Sequence, residues 1–366
     1  MSNLKVIQLL PELNIGGVER GTKDFSKALV EQGHESIVIS NGGIFEKDII
    51  NDGGKHIKIP LHKKSIFSLF CSKKLRLIYE EEKPDIVHIR SRMPAWINYY
   101  AFKKLTNKPI LISTFHGLYS TPLYSQIMTK VDHMIAISKT VKSYICNTYN
   151  ISEDNITTIP RGCDIEHFNK KELNDDWVND WFNEYPQTKD KIILTLPTRI
   201  SKWKGVDGFL KLLSKLDAKT FHGLIVGPTS SSKEKYLKSL KQKASDLGIS
   251  KNITFTGSRN DIVNIYKISD IVFNLSIKPE PFGRTTIEAI SCGSKVIGWD
   301  HGGTKEILEE LFPEGLVKLD DIDALKEKVI TLSNKGYPTP EKNTFTSQRM
   351  INETINLYNH LLNREL

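Results

Sequence analysis

The chain has 366 residues, 39% hydrophobic and 26% charged, which is longer than one hydrophobic core usually serves and has the composition of a soluble globular protein. Its four cysteines lack Cys-x-x-Cys spacing, arguing against a disulfide framework or a zinc site, and no apolar run approaches the ~20 residues that span a bilayer. The net charge of +8 lies entirely in residues 1–150, which hold 21 Lys/Arg against 13 Asp/Glu, while residues 151–366 hold 30 of each. That asymmetry points to an anionic partner: a membrane surface, an acidic acceptor or nucleic acid.

The opening Val6-Ile7-Gln8-Leu9-Leu10 follows one lysine, is too short for a signal peptide and reads as a first buried strand. Short β-branched runs then alternate with helical stretches, which predicts βα units and parallel sheets in two doubly wound domains, an α/β protein. First-half strands are expected at 5–10, 36–40, 57–59, 86–89, 110–114, 133–137 and 156–159, with helices at 21–32, 67–82, 96–105 and 139–149. Residues 62–76 are the densest basic segment and interleave cations with Ile66, Phe67, Leu69 and Phe70. They read equally as an interfacial helix and as an ordinary amphipathic helix whose apolar side is core. An acidic, tryptophan-bearing stretch at 173–191 is taken as the interdomain connection. Beyond it, strands are expected at 192–196, 223–226, 253–256, 271–274, 295–298 and 315–318, alternating with helices. The expected division is 1–172, 173–345 and a helix in 346–366 that packs back across the junction.

In such domains ligands bind at the carboxyl ends of the strands, and the charged residues cluster there. Asn14-Ile15-Gly16-Gly17 follows the first strand, and its glycine pair lets a ligand approach the backbone; the turn lacks the full dinucleotide fingerprint. Arg90 and Arg92 end another strand and can meet an acidic acceptor or pair with nearby carboxylates. His116 ends a further strand beside Gly117. Arg199, with Lys204-Gly205 five residues on, puts two cations on a strand-to-helix loop, where a departing diphosphate gains most from fixed positive charge.

Glu280-Pro281-Phe282-Gly283-Arg284-Thr285-Thr286-Ile287-Glu288 is the most informative stretch. Its Pro/Gly loop leads into a helix whose unpaired amides form a seat for phosphate. The two carboxylates flank that seat and can grip sugar hydroxyls on either side of a diphosphate. For Glu288 the competing reading is an acid that only complements the helix dipole. Asp321-Ile322-Asp323 matches a metal-binding pattern but reads as a helix cap, and no metal is expected.

Together these segments resemble a retaining glycosyltransferase of family 4 with the GT-B fold, two Rossmann-like doubly wound domains with an interdomain cleft. The match runs through nearly the whole chain, in Gly16-Gly17-Val18-Glu19, Phe115-His116-Gly117, Ile159-Pro160-Arg161-Gly162, Arg199 with Lys204, Glu280 through Glu288, and Gly302-Gly303-Thr304-Lys305-Glu306. The resemblance implies that Arg199 and Lys204 hold the donor diphosphate and that amides near Arg284-Thr285, after Phe282-Gly283, bind its distal phosphate. It gives Glu288 the ribose, Glu280 the donor sugar, and Ser258 and Arg259 the base. His116 then lies near the sugar, Gly16 and Gly17 shape the phosphate and acceptor side, and Gly302-Gly303 is partly structural. The family usually has Asn where Arg161 stands, so no ligand role follows for Arg161. A narrower similarity, through residues 90–96, 115–119 and 159–162, is to lipopolysaccharide-core transferases that move mannose from GDP-mannose onto an acidic sugar. It implies a lipid-linked anionic glycan acceptor on the first-domain side, where Arg90 and Arg92 lie, and a cytoplasmic protein peripheral on the inner face of the membrane. Neither a cofactor nor nucleic acid is expected, since no recognisable nucleic-acid module is present. The alternatives are a UDP-sugar-dependent transferase of surface-polysaccharide synthesis, a nucleotide-sugar epimerase on the same fold, and a catalytically silent sugar- or membrane-binding subunit.

Overall fold

The computed structural model describes residues 3–62, 70–334, 336–340 and 342–363. The chain divides into two compact units, Met1–Pro160 with Met350–Leu366, and Arg161–Arg349.

In the first unit strands and helices alternate: β1 (Lys5–Leu9), α1 (Gly17–Glu31), β2 (Glu35–Ser40), α2 (Glu46–Asn51), β3 (Lys55–Lys58), α3 (Cys71–Glu82), β4 (Ile86–Ile89), α4 (Arg92–Phe102), β5 (Ile110–Phe115), α5 (Pro122–Ser125), β6 (His133–Ala136), α6 (Lys139–Tyr149) and β7 (Ile156–Thr158). The sheet is parallel, in the order β3-β2-β1-β4-β5-β6-β7. Central strands are apolar on both faces because helices cover both, and Val6, Ile7, Ile86 and Ile112 are fully buried. The order reverses between β1 and β4, so the loops bearing Gly16-Gly17 and Arg90–Arg92 leave the sheet at its switch point.

The second unit holds α7 (Asp175–Glu184), β8 (Ile192–Pro197), α8 (Val206–Leu213), β9 (Phe221–Val226), α9 (Glu234–Asp246), β10 (Ile253–Gly257), α10 (Ile262–Ile268), β11 (Ile271–Asn274), α11 (Arg284–Ser291), β12 (Lys295–Trp299), α12 (Gly302–Leu311), β13 (Leu316–Val317) and α13 (Ile322–Leu332). Its sheet is also parallel, ordered β10-β9-β8-β11-β12-β13, with the reversal between β8 and β11. Asp321 caps α13 by accepting from the Ala324 amide, as the sequence predicts. A last helix, α14 (Ser347–Leu362), returns to the first unit, where Ile351, Ile355, Tyr358 and Leu361 join the cluster of Val6, Phe25 and Ile112.

Two expectations are corrected. The chain passes from one unit to the other at Pro160/Arg161 and Arg349/Met350, where 172/173 and 345/346 were expected. Cys163 pairs with Thr346 as an isolated bridge, and a side chain on Gly162 would fall 2.3 Å from the Thr346 oxygen, so this segment is fastened within the second unit. The stretch 173–191 is not a linker. Asn174 caps α7 through the Asp176 and Trp177 amides, and buried Trp181 stacks on Trp177 at 5.5 Å, against Ile193, Leu224 and Ile265. Of the basic segment 62–76, residues 63–69 lie outside the described residues. Among the described residues no helix is long and apolar enough to cross a membrane.

Candidate active site

The charged residues of the second unit converge on its switch point. After β8 the chain passes Arg199, exposed and without a side-chain hydrogen bond or ion pair among the described residues, and enters a tight turn at Lys202–Lys204. Gly205 closes that turn at φ +78°, where an added Cβ would fall 1.9 Å from the Leu275 oxygen. Only glycine allows this approach, which lays the turn against the loop that leaves β11. The Ile277 amide donates to the Trp203 carbonyl at 2.8 Å, pinning the two loops together.

Lys204 is thereby brought to Glu280. Its ammonium pairs with Glu280 Oε1 and lies 4.2 Å from the Trp203 ring centroid. The hydroxyl of buried Ser276 donates to the same Oε1. Both partners thus take one carboxylate oxygen, and no hydrogen bond among the described residues reaches Oε2. The side chains of Lys204 and Glu280 are only 18% and 13% exposed, so the pair is little screened by water.

Next to Glu280, Gly283 starts α11 at φ +109°, with neither a capping side chain nor an acid in the first turn. The Thr286 amide donates to the Gly283 carbonyl at 3.0 Å, while no side chain caps the Arg284 and Thr285 amides ahead of it, where the dipole favours an anion. Arg284 is exposed and donates to Glu288 Oε1 at 2.9 Å; Tyr266 donates its hydroxyl to Oε2 at 3.3 Å. Thr285, also in that first turn, is half-buried. The glycine turn at 302–303 has a packing reason. A Cβ on Gly303 would fall 2.3 Å from the Phe282 oxygen, and the Gly303 amide donates to the Glu280 carbonyl at 2.8 Å.

Two of the residues expected at the donor have side chains already engaged within the unit. Phe282 is buried edge-on to Phe345, with ring centroids 5.8 Å apart. Arg259 is already committed: it forks onto Asp261 at 2.8 and 2.9 Å, reaches Glu184 at 3.1 Å and lies over Trp181. It holds α7 to the sheet, and reading a base would require exchanging those partners; Ser258 beside it is exposed.

In the first unit, Gly16 has φ −177°, extended backbone that any residue adopts, and it starts α1 without a side-chain cap. Gly17, the first residue of α1, is half-buried. Arg90 pairs with no carboxylate among the described residues: it donates to Gln8 Oε1 at 2.6 and 3.1 Å and stacks over Phe25. Arg92 sits 4.6 Å from the Tyr119 ring centroid and donates to Thr121 and Ser125, also with no ion pair among the described residues. The His116 amide donates to the Tyr119 hydroxyl oxygen at 3.4 Å. Both arginines are half-buried and bonded within their own unit, and burial lowers the pKa of Arg90. Sequence reasoning missed Ser276 and Tyr266, which orient the two glutamates. Ser276 precedes Glu280 by four positions in an irregular loop, where spacing carries no periodic signal.

Two Rossmann-like units with cations and carboxylates at the switch point of the second sheet define the GT-B class of fold. Residues 15–167 match the family model described as Glycosyltransferase Family 4, and residues 178–350 match Glycosyl transferases group 1. A crystal structure of a glycosyltransferase from Rickettsia africae is 30% identical, covers 99% of both chains and superposes with a TM-score of 0.87. The yeast (Saccharomyces cerevisiae) phosphatidylinositol N-acetylglucosaminyltransferase GPI3 subunit is 22% identical over 89% of this chain and 74% of its own. Anabaena HepE, solved with UDP and glucose, shares the fold at a TM-score of 0.78 and 18% identity, covering 98% of this chain and all of its own. The chain belongs to glycosyltransferase family 4.

Proposed function

We propose that this protein transfers a sugar, with retention of configuration, from a nucleotide-sugar to a lipid-linked anionic glycan at a membrane surface. The observation that carries the reading is Glu280: one oxygen is held by Lys204 and Ser276, and it stands beside the uncapped start of α11. A diphosphate seated on that helix start, with Arg199 and Lys204 over it, would set the sugar against the remaining Glu280 oxygen and the ribose against Glu288. Glu280 serves as a grip on hydroxyls, unlike the nucleophilic carboxyl of a retaining glycosidase ~5 Å from its partner. The acceptor then attacks on the face the phosphate leaves, and the departing phosphate takes its proton. In the first unit, His116 and the Gly16-Gly17 turn are the proposed contributors, with Arg90 and Arg92 for the acceptor's negative charge.

GDP-mannose is the donor favoured by the similarity to lipopolysaccharide-core transferases. A UDP-sugar is the second reading, favoured by the UDP and glucose bound in HepE. Calorimetric titration with GDP-mannose, GDP, UDP-glucose, UDP-N-acetylglucosamine and UDP separates them. Selective GDP binding supports the mannosyl reading; selective UDP binding discards mannose and keeps the transferase. Binding of neither favours the silent subunit, and conversion of donor without acceptor favours the epimerase.

A further inference from the structure

We propose that an open groove between α3 and α4 is a docking site for the phosphate headgroups of anionic lipids. This deepens the membrane part of the function proposed above and involves none of its donor residues. The groove holds ≈ 590 Å³ and is lined by Phe70, Lys73 and Arg76 on one side and by Tyr100 and Lys104 on the other. Three cations therefore face one concavity. Lys73 and Lys104 have no ion pair among the described residues, and only Arg76 has a carboxylate near, Glu80 Oε1 at 3.6 Å from its Nε.

The apolar side chains around this charge select the ligand. Phe70 is 75% exposed, Leu77 52% and Tyr100 40%. One exposed apolar side chain on a folded surface is ordinary, but here Phe70 and Tyr100 line a basic groove, and Leu77 follows Lys73 by one turn on α3. A free phosphate or a nucleotide would use the cations and leave Phe70 and Leu77 in water. A lipid surface uses both, with phosphates on the ammonium and guanidinium groups and the apolar side chains at the acyl boundary. The tyrosine is amphipathic and suits the headgroup level. The groove also gives a place to the excess positive charge of residues 1–150, which include Lys74 on α3 and Lys103 at the end of α4.

Flotation of the full-length protein tests this, using vesicles of phosphatidylcholine alone and of phosphatidylcholine with phosphatidylglycerol. The wild type should partition onto the anionic vesicles, less so as salt rises. Lys73→Ala/Lys104→Ala should weaken that partition roughly tenfold or more, each cation contributing near the surface. Phe70→Ser should remove binding that persists at high salt. All these positions are exposed, and circular dichroism checks that the variants fold. Donor consumption without vesicles should be unchanged in the variants, so loss of docking is distinguishable from failure of the transferase reading. Equal binding to both vesicle types, undiminished binding by the double variant, or displacement by millimolar inorganic phosphate or an oligonucleotide would each overturn the proposal.

Discussion

Glu280 Oε1 is shared by an ammonium and a hydroxyl, and the two partners differ in what their loss does. Ser276 is buried and donates to a carboxylate, an interaction of about 1.5–3 kcal/mol when the acceptor is charged. Removing it frees the carboxylate to rotate and costs positioning without removing charge. Ser276→Ala should lower kcat roughly tenfold or more with little change in the Kd for the bare nucleoside diphosphate, and Ser276→Thr should restore most of it. An equal loss of nucleotide affinity would show that Ser276 supports the fold of the loop instead. Lys204→Ala leaves Glu280 partly buried without its cation, and also removes charge proposed to face the leaving phosphate. It should cut turnover more than donor affinity; unchanged turnover with weaker binding would refute that role. The charged members of this cluster were legible in the sequence because Pro281 and Gly283 mark a loop before a helix. Their partners were not, since a single serine in an irregular loop and a tyrosine on another helix acquire meaning only when β11 and α10 bring them near.

At the scale of elements, the alternation of β-branched runs with helical stretches placed the strands within a residue or two, because buried parallel strands must be apolar throughout. The chain between the sheets was harder to read. Stretch 173–191 carries the acids and polar residues of a connection, yet Asp175 and Asp176 complement the dipole of α7, and its tryptophans are the packed face. Helix α14 shows the opposite case: its rhythm at 351, 355, 358 and 361 is an amphipathic stripe that had to be buried somewhere. That stripe completes the core of a unit whose other residues end at Pro160. Tyr358 adds a polar tie, with its hydroxyl on His88 Nδ1 while Thr114 meets Nε2. Ile355→Ala should therefore destabilise the first unit by about 2–5 kcal/mol, as large-to-small core changes do, and leave the second untouched. Hydrogen exchange resolved by segment reads this directly, as faster exchange in β1 and β4 with β8 and β11 unchanged. Exchange unaltered in β1 and β4 would mean that α14 only covers the surface.

Over the whole molecule, each sheet buries a neutral histidine, and acid should find both. His222 on β9 is 1% exposed, has Nε2 2.9 Å from Thr254 Oγ1, and is pushed down to about 4 by burial, with Lys191 adding to the shift. His88 on β4 is held well below the ordinary histidine range by burial, with Arg90 nearby adding to the shift. In the unfolded chain both titrate near 6.5. Folding keeps these rings neutral while the unfolded chain protonates them, so the unfolded state binds more protons below that value. Stability is thus fully present above about pH 6.5 and falls as pH drops through about 4, the lower limit set by His222. Between pH 7 and pH 5 His222 alone should cost up to about 2 kcal/mol, and His88 adds to it in the other unit. Urea unfolding at pH 7, 6 and 5 should show a midpoint that declines in both units. The decline should be steeper below pH 6.5 than above it. A midpoint constant from pH 7 to pH 5 would mean that the buried rings exchange protons freely in the native state, and that neither sheet closes over its histidine as tightly as the packing implies.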